Sequence, residues 1–209
     1  MTKPSKWTEL IAANPQHSHD YAERFRRLAA DGQDIFGEAR LVDAMLPRGS
    51  RILDAGCGGG RTGGHLARVG HTVVGVDQDP VLIEAAETDH PGPTWLVGDL
   101  SELDLPARGI ADPFDVIVCA GNVVTFLHPD TRRETLRRFA DHLADDGRVI
   151  IGFGTARGYA VTDFVTDLES VGLIVDLALS TWDLRPYDAD SDFLVAILRH
   201  RRASDSPAE

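Results

Sequence analysis

Apolar residues in the middle of this chain come in short unbroken runs, separated by longer stretches where they recur every third or fourth position. Unbroken runs bounded by glycine, aspartate or proline read as strands buried on both faces, and the wider spacing reads as helices packed across them. Arg51–Asp54, Thr72–Val76, Thr94–Val97, Phe114–Cys119 and Arg148–Gly152 are the strands this predicts. A helical pattern through Leu66 and Val69 stops at Gly70, and Asp79 is placed as the N-cap of a helix opening on Pro80. Asp130-Thr131 starts an arginine-bearing helix, and Gly147 introduces the fifth strand. Strand and helix in alternation is the rhythm of a parallel sheet covered on both faces. After a helix through Phe164 and Leu168, closed by Gly172, the runs Leu173–Leu179 and Phe193–Leu198 follow with no helix between them. They read as an antiparallel pair at one edge. The fold predicted is α/β, a doubly wound sheet of seven strands, mostly parallel with an antiparallel last strand.

The segment ahead of the sheet is helical in pattern. Ser18 is placed to cap a helix through Tyr21, Phe25 and Leu28 that ends at Asp31-Gly32, and a second runs from Ile35 to Leu46, before Pro47. This divides the chain into a helical segment 1–48, an α/β domain 49–202 and a small, polar tail 203–209 expected to be disordered.

Composition narrows the function classes. At 209 residues the chain has the length of one domain, and 43% hydrophobic content supports a real core. Acidic residues number 33 against 21 basic, a net charge of −12, so nucleic acid is not expected as the main partner. The only lysines are Lys3 and Lys6. Arg132, Arg133, Arg137 and Arg138, and the cluster Arg199–Arg202, are short runs on an acidic chain and read as solvated surface. Apolar runs such as Val116–Ala120 are too short to cross a bilayer, and the first residues carry no signal-like apolar stretch. Cys57 and Cys119 form no disulfide framework. The expectation is a cytoplasmic protein with a small-molecule substrate, no membrane and no nucleic acid; the pattern says nothing about oligomeric state.

The chemistry concentrates after the first strand, in Asp54-Ala55-Gly56-Cys57-Gly58-Gly59-Gly60. Glycines between a strand and a helix let the backbone turn tightly and approach a ligand closely. Gly58, Gly60 and Gly63 spell a literal G-x-G-x-x-G, which keeps a dinucleotide open. Asp54 argues otherwise: a carboxylate at the lip of the loop repels a pyrophosphate and suits a ligand bearing an ammonium. Asp77 ends the second strand 21 residues after Gly56, where a carboxylate can accept from both hydroxyls of a ribose. Asp99, ending the third strand, can accept from the exocyclic amine of a base. Three carboxylates at successive strand ends favour an amino-acid-bearing nucleoside.

With these motifs the chain resembles the class I S-adenosylmethionine-dependent methyltransferases, small-molecule type, from about Gly49 to Arg199. The resemblance implies a Rossmann-like fold with S-adenosyl-L-methionine as cofactor. It places Asp54, Gly56, Cys57 and Gly58 around the methionine part, Asp77 with Gln78 at the ribose, and Asp99 with Leu100 at the adenine. Ala120, Gly121 and Asn122, after the Phe114–Cys119 strand, would lie beside the departing methyl group. Leu143–Arg148 resembles the approach to strand five, with Asp145-Asp146 replacing a usual Pro-Gly pair. The N-terminal helices would fold over the pocket as a lid.

Methyl transfer from a sulfonium asks for alignment, exclusion of water and, for some acceptors, removal of a proton. His19, Tyr21, His128 and Tyr159 are the candidates for handling that proton; the sequence assigns no catalytic residue among them. Phe126, Arg157 and Trp182 are the substrate candidates, and their types suggest a planar or acidic molecule. His17-x-His19 is the nearest approach to a metal motif, and no metal is expected. An NAD(P)-dependent oxidoreductase and a non-catalytic S-adenosylmethionine-binding protein are the alternative readings.

Overall fold

The computed structural model describes Lys3 to Asp205. Seven strands form one sheet: β1 Arg51–Ala55, β2 Thr72–Asp77, β3 Thr94–Val97, β4 Phe114–Cys119, β5 Leu143–Gly154, β6 Leu173–Leu179 and β7 Phe193–His200. Their order is β3-β2-β1-β4-β5-β7-β6. β1 to β5 pair in parallel, and β7 runs against both β5 and β6. The helices are α1 Lys6–Ala13, α2 His17–Ala30, α3 Gly37–Ala44, α4 Arg61–Arg68, α5 Pro80–Asp89, α6 Val123–Phe126, α7 Arg132–His142 and α8 Val161–Ser170.

Side chains alternate across a strand, so the central apolar runs feed two cores. Leu53, Ile117, Val149 and Ile151 pack with Leu136 and Phe139 of α7 and Phe164 and Leu168 of α8. Ile52, Val116, Val118 and Ile150 pack on the other face with Leu41 and Val42 of α3 and Leu66 of α4. Strand order reverses direction between β1 and β4, which opens a crevice at their carboxyl ends, the usual ligand position of such sheets.

α1 and α2 are pinned beside that crevice. Asp79 caps α5 by accepting the Val81 N–H at 2.9 Å, and its other oxygen accepts from Trp7 Nε1 at 2.9 Å and from Ser18 Oγ. Ser5, which caps α1, exchanges hydrogen bonds with the Gln78 amide, and Arg26 of α2 pairs with Asp89 at 2.8 Å.

Several local expectations change. Ser18 is no cap: α2 begins at His17, and the buried Ser18 hydroxyl is drawn to Asp79. α1 and α6 are additional helices, α3 is shorter than Ile35–Leu46, and β5 starts at Leu143. There Phe114 pairs with Leu143 and Val116 with Arg148, leaving Asp145 and Asp146 on an exposed irregularity of the strand. Of the tail, Ala203–Asp205 forms a 3-10 turn, with Asp205 accepting from Arg202 N and paired with Arg199 at 2.7 Å. The rest of the tail expectation, residues 206–209, lies outside the described residues.

Candidate functional site

The chain leaves β1 and turns at Gly56 with φ +77°, its amide donating to the Val76 carbonyl at 2.8 Å. A Cβ at Gly56 would lie 2.5 Å from Val123 Cγ2, so the turn and the close packing both require glycine. Around this loop stand the three strand-end carboxylates.

Asp54 is 2% exposed and has no cation bonded to it; its Oδ2 accepts the Gly63 N–H at 2.8 Å in the first turn of α4. Burial pushes its carboxyl up to about 7, against the pull of the Gly63 hydrogen bond and the Arg61 charge. Asp77 accepts the Gly58 N–H at 2.8 Å through Oδ2 and the Asp79 N–H at 3.0 Å through Oδ1. Burial pushes it up to about 6. Asp99 accepts from Ser101 N and Oγ, both at 2.8 Å, through Oδ1 alone. Its Oδ2 is left for a further donor.

Two cavities flank the loop. One, of about 370 Å³, is lined by Asp54, Gly56, Cys57, Arg61, Ala120 and Gly121 under Tyr21, Phe25 and Phe36. The other, of about 330 Å³, is lined by Gly58, Asp77, Gln78, Asp99, Leu100, Asn122, Phe126, His128 and Arg157. Tyr21, Phe25, Gly56 and Gly121 line both, so α2 inserts its aromatic face between them. Burial raises the Tyr21 phenol above its ordinary value and keeps it protonated.

The structure therefore gathers Asp54, Gly56, Gly58, Asp77, Gln78, Asp99, Leu100, Ala120, Gly121, Tyr21, Phe126, His128 and Arg157 around one crevice. Two of the cofactor candidates also have structural partners. Cys57 lines the first cavity and also packs with Ile83, Ala86 and Trp95. Asn122 takes φ 68°, and its Oδ1 accepts the Gly154 N–H at 2.7 Å, so it straps the end of β4 to β5.

Three candidates are elsewhere. His19 is exposed on α2 and lines neither cavity. Tyr159 is 2% exposed between Phe153 and Phe164; its hydroxyl donates to Asp167 at 2.8 Å and Arg132 lies 4.3 Å above its ring. Trp182 packs against Gly152 and reaches Gly37, part of the core beneath α3. An aromatic in a flexible-looking loop was here recruited by the core, because each had apolar area to bury.

Sequence reading missed Trp7, Phe25 and the Arg61–Glu38 pair. Arg61 bridges Glu38 at 2.7 Å, donates to the Ile35 carbonyl and lies 5.1 Å from the Phe25 ring centroid. Burial opposes ionisation of Glu38, yet the Arg61 contact outweighs it and holds the carboxyl below its usual range. Nothing in the local pattern links positions 38 and 61.

A buried acid, Asp54, and a half-buried one, Asp77, both held at raised values with no resident cation, suit a cationic ligand. A pyrophosphate would instead meet Asp54 and Asp77, and the Gly58 and Gly63 amides it would need are already given to those carboxylates. The glycine cradle, the ammonium-matching Asp54 and the ribose-matching Asp77 thus fit S-adenosylmethionine.

Comparison with a solved structure agrees. The TehB-like SAM-dependent methyltransferase from Corynebacterium glutamicum is 50% identical, superposes with a TM-score of 0.84, and the match covers 90% of this chain and 100% of that one. The chain belongs to the S-adenosylmethionine-dependent methyltransferases. Residues 52–147 of this methyltransferase-family chain match the methyltransferase domain family model. The magnesium-protoporphyrin O-methyltransferase of Rhodobacter capsulatus is 32% identical over 140 residues, 63% of this chain and 57% of that protein. The mitochondrial ubiquinone biosynthesis O-methyltransferase of Schizosaccharomyces pombe is 29% identical over 188 residues, 81% of this chain and 68% of that protein. The chain thus spans little more than half the length of the first of these two. Among the described residues of this methyltransferase, no helix is long and apolar enough to cross a membrane.

Proposed function

We propose that this methyltransferase transfers a methyl group from S-adenosylmethionine to a small-molecule acceptor in the cytoplasm. The observation that carries the reading is the row of Asp54, Asp77 and Asp99 at the ends of β1, β2 and β3, with Gly56 pressed against Val123 between them. Asp54 would hold the ammonium of the methionine part. Asp77 would accept the ribose hydroxyls with its remaining lone pairs, each such charge-assisted bond contributing roughly 1.5–3 kcal/mol. The free Oδ2 of Asp99, beside Leu100, would accept from the adenine amine.

When bound, the cofactor supplies a methyl group activated by sulfonium charge, with a neutral thioether as leaving group. The chain supplies alignment and dryness. Trp7, Tyr21 and Phe126 form a wall, with ring centroids 5.4 and 5.8 Å from Trp7. His128 Nδ1 accepts the Asp130 N–H at 3.2 Å, so the neutral ring carries its proton on Nε2 and acts as a donor. Tyr21, kept protonated by burial, is likewise a donor. The acceptors near the cleft are the carboxylates. Buried free Cys57 and Cys119 suit a reducing compartment.

Cavities roofed by α1 and α2 suit a molecule of metabolite size. The test is to supply methyl-labelled S-adenosylmethionine with three separate acceptor pools from one cell extract: small molecules, RNA and protein. Label in the small-molecule pool supports the reading. Label confined to RNA or protein, or cofactor binding with transfer to none of the three, overturns it.

A further inference from the structure

The second cavity has an unequal distribution of charge. Its acidic lining residues are Asp77 and Asp99, from the ends of β2 and β3. Its basic ones are Lys3, Arg24, His128 and Arg157. His128 follows β4 and Arg157 follows β5, which lie across β1 from the two acids in the sheet. Lys3 joins them by pairing with Asp130, two residues beyond His128. Lys6 is near as well, its Nζ 3.4 Å from where a Cβ of Gly158 would stand. Of the two lysines on a chain of net charge −12, Lys3 lines the cavity and Lys6 lies against Gly158, next to Arg157.

Arg157 is the telling member. Its stem rests on Gly154, and its guanidinium makes no ion pair and no side-chain hydrogen bond among the described residues. Arg26, Arg40, Arg48, Arg61, Arg133, Arg137, Arg138, Arg185, Arg199 and Arg202 bridge carboxylates, whereas others, Arg24 of the same lining among them, do not. An arginine fork beside a cavity, without a carboxylate of its own, is arranged to receive one. The adjoining wall is the edge-to-face aromatic set of Trp7 and Phe126, a surface suited to a flat ring.

We propose that the acceptor is a planar aromatic carboxylic acid, its ring against Trp7 and Phe126 and its carboxylate on Arg157. This rests on the methyltransferase reading and names the acceptor class of the same site. The carboxylate is the anchor, which leaves another atom of the ring system to face the methyl group.

The test uses the full chain saturated with S-adenosylhomocysteine. A panel of benzoate, salicylate, 4-hydroxybenzoate, cinnamate and indole-3-acetate is compared with the matching neutral amides by ligand-observed NMR and calorimetry. At least one acid should bind tenfold or more tightly than its amide. In Arg157→Gln, an exposed loop substitution, that preference should shrink to within twofold while S-adenosylhomocysteine affinity stays within twofold of the parent. Amides binding as well as acids, no acid binding at millimolar concentration, or an unchanged preference in Arg157→Gln each overturn the proposal. The cofactor titration separates the two readings: failure to bind S-adenosylhomocysteine at all strikes the methyltransferase reading, whereas normal cofactor binding without acid preference strikes only this one.

Discussion

Replacing Asp54 with asparagine should make the ligand-free protein more stable and a worse binder, with a gap that grows with pH. Asp54 is buried, and its carboxyl is pushed up to about 7 in the fold against an ordinary value of 3.8. A carboxyl with a raised folded value binds more protons folded than unfolded, so the fold loses stability as pH rises from the ordinary value to the raised one. At about 1.4 kcal/mol per pH unit, Asp54 costs the fold about 4 kcal/mol by pH 8, of which roughly 2–3 kcal/mol is lost between pH 5 and 8. A neutral amide in its place would carry no such cost and could still accept the Gly63 N–H through its oxygen. Urea unfolding of both proteins without cofactor, at pH 5 and pH 8, gives the difference directly. The variant's advantage should increase by about 2 kcal/mol across that interval, while its affinity for S-adenosylmethionine falls at least tenfold. Parallel pH profiles for the two proteins would refute the reasoning, because Asp54 would then not be an uncompensated buried acid.

Other substitutions separate the site from the scaffold. Gly56→Ala adds a Cβ 2.5 Å from Val123 Cγ2 at φ +77°, so strain and overpacking together should cost about 2–4 kcal/mol and weaken cofactor binding. A denaturation midpoint equal to wild type would remove the close-approach argument. Tyr159→Phe deletes the hydrogen bond to Asp167 inside the core, which should cost about 1 kcal/mol of stability and leave cofactor affinity unchanged. A tenfold change in that affinity would put Tyr159 back in the site.

Much of the fold was legible because its central strands are largely buried on both faces. Val116–Cys119 and Phe193–Leu198 are continuous apolar runs, and turn residues punctuate the chain around them. The glycine loop and the three aspartates were legible for a different reason: their spacing from strand ends fixes where they lie. What failed depended on long-range contacts. Ser18 has the residue type of a cap, but Asp79, distant in sequence, claims its hydroxyl. α1 has no buried residue, so its apolar pattern is weak, although Ser5 accepting from Thr8 N is a capping signal that the sequence displays. Tyr159 and Trp182 have residue types shared by substrate platforms and cores, and only packing shows that Tyr159 is buried in the core and that Trp182 packs half-buried against it. Arg157 and Phe126, of the same ambiguous types, line the cavity instead.

In the proposed function, strand-end carboxylates, Asp77 foremost, hold the nucleoside of S-adenosylmethionine. The most direct test is the dissociation constant of S-adenosylmethionine for wild type and Asp77→Ala, measured by calorimetry on proteins shown by unfolding to be equally folded. Loss of one or two charge-assisted hydrogen bonds predicts a ten- to a hundredfold weakening, about 1.4–2.8 kcal/mol. An affinity within twofold of wild type would contradict the account.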